Sequence, residues 1–138
     1  MYRDGVAGTK RLFKAYSNDI AFLVVYTLEA HPCGVASPYS DKEWTMRASW
    51  DAAGNPLGQP QTYAGRMAMA QQCARELGVG LPVLVDGMDN AVWCAYGGAP
   101  NNAYFIGKDG KILAKHGWYQ PDGMELTITG YLKKQTRT

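Results

Sequence analysis

Ile20-Ala21-Phe22-Leu23-Val24-Val25-Tyr26-Thr27-Leu28-Glu29-Ala30-His31-Pro32 decides how the rest of this chain is read. From Ile20 to Tyr26 the run is continuously apolar, rich in β-branched and aromatic residues, and bounded by polar ones. Such a run reads as a central strand buried on both faces. Glu29 and His31 then fall two apart where the strand ends, so in extended geometry both side chains point to the same side. A carboxylate beside an imidazole handles protons near neutral pH, which suits protonating a leaving group or holding a thiolate.

Working outward, Leu12, Phe13 and Tyr16 recur at helical spacing with Lys10, Arg11 and Lys14 opposite, which predicts an amphipathic helix from Thr9 to Tyr16. On the other side, His31 to Gln61 holds four of the seven prolines and no sustained period, so it reads as a long loop beside the strand. Met67, Ala70, Ala74 and Leu77 predict a second helix, stopped by Gly78 and Gly80. Pro82-Val83-Leu84-Val85-Asp86 is a short apolar strand, and Asp89-Asn90 is placed to cap a brief helix through Tyr96, closed by Gly97-Gly98. Asp109-Gly110 joins two strands, Ala103 to Gly107 and Lys111 to Lys115, as a hairpin. Asp122 three residues before Glu125 has capping-box spacing for a last helix. The order α-β-loop-α-β-α-β-β-α predicts an α/β fold, a mixed sheet with helices on both faces, in a single domain spanning residues 1–138.

Composition narrows the function. At 138 residues, with 46% hydrophobic and 19% charged, the chain has the make-up of one globular domain. The formal net charge is only +2 and no basic stripe is interleaved with aromatics, which argues against nucleic-acid binding. No apolar run approaches the roughly 20 residues a spanning helix needs, and Met1-Tyr2-Arg3-Asp4-Gly5 lacks a secretory layout, so a cytoplasmic protein without membrane contact is expected. The three cysteines, Cys33, Cys73 and Cys94, are widely spaced and read as thiols, Cys73 and Cys94 as structural ones on helices. His31, Cys33 and Asp41 do not have zinc-ligand spacing, and no metal or other cofactor is expected.

Phe22 to Pro32, with its Glu29-Ala30-His31, resembles the end of the apolar strand in the iodothyronine deiodinases and their bacterial thioredoxin-like relatives. The likeness continues in order through Pro82-Val83-Leu84-Val85-Asp86 with Met88 and Asn90, and through Ala95-Tyr96-Gly97-Gly98-Ala99-Pro100 leading into Ala103-Tyr104-Phe105-Ile106. It implies a thioredoxin-like three-layer α/β/α fold and thiol or selenol redox chemistry with Glu29 and His31 as a proton relay. A thiol reductant or small-molecule substrate would be the partner. By the same resemblance Pro100 would be a cis proline facing the substrate. Cys33, two residues after His31, is the best nucleophile candidate in the chain, since an imidazolium there would lower its thiol pKa.

The sequence departs from that family in two places. Family members open with a strand and a Cys-x-x-Cys or Cys-x-x-selenocysteine turn, whereas here no cysteine precedes Cys33. Where deiodinases carry a histidine after a proline-glutamine pair, this chain has Pro60-Gln61-Thr62. An N-terminally truncated domain is therefore expected, either a selenoprotein whose selenocysteine codon was read as a stop or a domain naturally trimmed. Two strands left unpaired would pair with each other or with a second copy, so a homodimer is expected. The alternative to an enzyme is a non-catalytic thioredoxin-fold module that binds through the same cleft.

Overall fold

The computed structural model describes residues 2–78, 80–97 and 101–136. Its elements are α1 (Tyr2–Tyr16), β1 (Val24–Tyr26), a 3-10 turn (Arg47–Ser49), α2 (Tyr63–Leu77), β2 (Val83–Val85), α3 (Ala91–Tyr96), β3 (Ala103–Ile106), β4 (Ile112–His116) and α4 (Pro121–Gln135). The order is the one the sequence predicts, and the fold is α/β. The chain divides into two compact units, residues 1–22 with 99–138, and residues 23–98.

In the 23–98 unit, β1 and β2 run parallel in the register Val24↔Val83, Val25↔Leu84, Tyr26↔Val85. Strand β1 is shorter and less buried than its composition predicts: Leu23 is 62% exposed and Val25 39%, as is Leu84 at 49% on β2. A β-branched run looks the same whether one face of the strand is covered or two. Among the described residues β1 pairs with β2 alone, α2 packs on β2, and alternate side chains stay in water. Nor does a single mixed sheet form among the described residues. One two-stranded sheet is parallel and the other antiparallel.

Helix α2 starts where Thr62 Oγ1 accepts from Gly65 N at 3.1 Å, and ends where Gly78 takes a left-handed φ of 56°. Its inward face is not the stripe expected. Met67 is 38% exposed, whereas Ala70 and, one turn before it, Arg66 are buried.

The other unit packs α1, the β3–β4 hairpin and α4 around Leu12, Phe105, Tyr119, Met124 and Ile128. Gly110, at φ 78°, supplies the left-handed turn residue of the hairpin. A Cβ on Gly8 would lie 2.5 Å from Pro121, so α1 and α4 meet here only because position 8 has no side chain. The expected capping box at Asp122 and Glu125 does not form. Gln120 is the N-cap without a side-chain bond, Pro121 opens the helix, and both carboxylates grip the Arg11 guanidinium of α1 at 2.7 Å. Proline at the first turn has no N–H to satisfy, which frees the two acids for a contact between helices.

No helix among the described residues is long and apolar enough to cross a membrane.

Candidate active site at the carboxyl ends of the parallel strands

Asp86 N donates to Tyr26 O at 2.9 Å, the last bond of the β1–β2 ladder. Beyond it two segments leave the sheet side by side, Thr27 to Pro32 from β1 and Asp86 to Asn90 from β2. The carboxyl ends of parallel strands are where α/β folds collect ligand-binding side chains.

Glu29 is held by its backbone. Gln59 Nε2 donates to Glu29 O at 2.7 Å, and Glu29 N donates to Gln59 Oε1 at 3.1 Å. The amide of Gln59 thus acts as a one-residue strand and fixes Glu29 outside the ladder. Burial pushes the Glu29 carboxyl up to about 7. It makes no ion pair with His31, so strand-end spacing did not bring the two together as a contact pair. The strand ends at Tyr26, and both residues lie in the bend that follows.

His31 is only 6% exposed. Its Nδ1 lies 3.0 Å from Trp44 O, and its ring meets the Trp44 ring edge-on at 4.6 Å and 82°. A carbonyl only accepts, so Nδ1 carries the hydrogen, and in the neutral ring Nε2 is left as the lone-pair nitrogen. That Nε2 is buried and has no hydrogen-bond partner. A backbone carbonyl orienting one imidazole nitrogen so that the other serves as base is the usual arrangement of a proton-handling histidine.

Cys33 lies in the same loop with its N bonded to Leu57 O at 2.7 Å and its Sγ donating to Ser49 O at 3.3 Å. His31 makes no hydrogen bond to it. Cys73 and Cys94 lie on α2 and α3, and Cys94 is exposed, not packed as a structural thiol would be. Pro100 lies outside the described residues. Among those residues, no three His, Cys, Asp or Glu side chains gather as metal ligands. Thr62, in the Pro60-Gln61-Thr62 segment, caps α2.

Gln59 and Arg66 were not singled out from sequence. Arg66 is 1% exposed, and its guanidinium donates to Asp86 O at 3.2 Å, to Gly87 O, and to Asn90 Oδ1 at 2.8 Å. Asp86, also buried, accepts Val92 N at 3.1 Å and Trp93 N at 3.0 Å. The cap falls where the sequence put it: Asn90 is the N-cap residue of α3 and Asp89 Oδ1 accepts Ala91 N at 3.4 Å, and Asp86 adds two acceptors from the end of β2. Asn90 adopts a left-handed φ of 56°, with its side chain held by Arg66. The one sequence signal for Arg66 was its place on the buried stripe of α2, four residues before Ala70.

Fold and site together define an α/β protein with a carboxyl, Glu29, and a buried imidazole, His31, in the segment that follows the first of two parallel strands. Residues 4–134 match the family model of iodothyronine deiodinase, and the chain belongs to that family. Membership points to redox chemistry.

Proposed function

We propose that this is a thioredoxin-like protein, one domain in its working form, that acts in thiol or selenol oxidoreduction with Glu29 and His31 as its proton relay. The observation that carries the reading is the buried, unpartnered Nε2 of His31, whose tautomer Trp44 O sets. In the reaction, Nε2 accepts the proton of a thiol, and the thiolate attacks the terminal oxygen of a hydroperoxide. The O–O bond breaks, and Glu29, protonated below about pH 7, donates to the departing alkoxide. The products are a sulfenic acid and an alcohol. Two equivalents of an external thiol return the sulfenic acid to thiol with release of a disulfide and water. Cys33 is the chain's own thiol for this step, and an added selenol is the other source.

Peroxide consumption with dithiothreitol as reductant tests the reading. Turnover lost in Cys33→Ser assigns Cys33 as nucleophile. Turnover that appears only with added selenocysteine, and falls in His31→Asn, keeps the relay and dismisses Cys33. The second reading, a non-catalytic binding module, is favoured by the bond from Cys33 Sγ to Ser49 O, which ties the thiol as a donor away from His31. Absence of turnover under both conditions, with Cys33 no faster toward a thiol probe than a model thiol, selects it.

The expected partner is a second copy. In β1 the backbone of Val24 and Tyr26 faces β2, while that of Val25 points to the opposite edge beside exposed Leu23. No charged residue from Ile20 to Leu28 guards that edge. A cytoplasmic setting fits three cysteines widely spaced along the chain.

A further inference from the structure

Glu29 stands past Tyr26, whose carbonyl accepts the last bond of the β1–β2 ladder. The sheet therefore does not dictate the Glu29 backbone. Nor does a partner aim its side chain: among the described residues nothing hydrogen-bonds or ion-pairs with the Glu29 carboxyl, which burial raises to about 7. The direction of that carboxyl follows from the backbone that carries it.

One side chain holds this backbone. Gln59 Nε2 donates to Glu29 O at 2.7 Å, and Glu29 N donates to Gln59 Oε1 at 3.1 Å. In an antiparallel pair a residue exchanges both of these bonds with its neighbour, its N–H and C=O facing one edge and its side chain standing off that edge. A primary amide offers the same donor and acceptor in one plane. A single bond would let Glu29 pivot about it. Two bonds to one planar group remove that freedom, so the Cα–Cβ direction of Glu29 is fixed as well.

Gln59 is itself held. Gln61 Nε2 donates to Gln59 O at 2.9 Å, and Pro60 biases the residue before it toward extended backbone. Leu57 O accepts Cys33 N at 2.7 Å, and a Cβ on Gly58 would lie 3.6 Å from Cys33 O. The 57–59 segment thus returns alongside 29–33 in the opposite direction, with Leu57 at Cys33 and Gln59 at Glu29.

We propose that Gln59 is a positioning residue of the redox site, its side-chain amide setting the direction in which Glu29 delivers a proton to the departing alkoxide. The role rests on the redox reading of Glu29. Gln59 acts through Glu29 and not on the substrate, since its amide is spent on the Glu29 backbone.

Two peroxides with different leaving groups separate positioning from mere support of the fold. At about pH 6 Glu29 holds its proton. Reduction of tert-butyl hydroperoxide releases an alkoxide that needs this proton, whereas peracetic acid releases acetate, which needs none. Rates are measured on the full chain with the thiol or selenol that supports wild type, less the rate without protein. In Gln59→Met the rate with tert-butyl hydroperoxide is expected to fall about tenfold or more, and that with peracetic acid to change less than about twofold. Gln59→Asn, whose amide falls one methylene short, is expected to show the same selective loss and serves if Gln59→Met does not fold. Equal losses with the two peroxides, or no loss with either, overturn the role. If wild type turns over neither, the redox reading fails, and NMR titration of the Glu29 carboxyl carbon decides on Gln59 by itself. A pKa that drops in Gln59→Met from about 7 toward the ordinary carboxylate value supports the clamp, and an unchanged one overturns it.

Discussion

Glu29 and Arg66 show how much a single buried charge can decide. Burial holds the Glu29 carboxyl at about 7, above the ordinary carboxylate range, so the folded state binds its proton more tightly than the unfolded state does. The stabilising proton is fully present below the unfolded pKa and is lost as pH rises through about 7, so Glu29 makes the fold less stable at pH 8 than at pH 5. Thermal melts of Glu29→Gln are expected to flatten that dependence and to gain stability at pH 8, on the order of 3 kcal/mol for a shift of this size. Arg66→Met would leave Asp86 O, Gly87 O and Asn90 Oδ1 without their donor in a dry setting. Urea unfolding is expected to show a loss of about 3 kcal/mol or more. Of these two residues only Glu29 was legible in the sequence, because it stands in a motif next to an apolar strand. Arg66 was not, since its partners are mostly backbone carbonyls, which leave no trace in residue identity.

At the scale of elements, the order of helices and strands was readable because hydrophobic period, Gly78, Gly97 and Asp109-Gly110 are local signals. Caps and faces were legible only in part, because they depend on which neighbour arrives. Asp89-Asn90 opens α3 as its pattern predicts, but Asp86 adds two acceptors there from the end of β2, and Arg11 draws Asp122 and Glu125 away from their capping pattern to α1. Asp86→Ala therefore removes two amide acceptors at once. It is expected to cost about 2 kcal/mol, with faster amide exchange at Val92 and Trp93 as the local readout. By contrast, Arg11→Ala severs an exposed pair and is expected to cost under about 1 kcal/mol. Gln59 was also invisible from sequence, since an amide side chain that replaces a strand neighbour has no period to announce it.

For the whole molecule, family membership over residues 4–134 agrees with the resemblance read from Glu29-Ala30-His31, Asp86 and the hairpin. The reading of β1 as buried on both faces failed, because composition alone does not count a strand's neighbours. The open edge at Val25 has a consequence for assembly. Sedimentation of the full chain is expected to give a dimer, and Val25→Pro, which removes an N–H the β1–β2 ladder does not use, to give a folded monomer. His31 Nε2 is proposed to take a proton during chalcogen redox chemistry. The most direct measurement of that step is the rate of peroxide consumption with dithiothreitol, with and without added selenocysteine, in wild type and His31→Asn. Turnover is expected in wild type, with a fall of about a hundredfold or more in a variant that still melts cooperatively. Equal rates in the two proteins, or none in wild type under either condition, would contradict it.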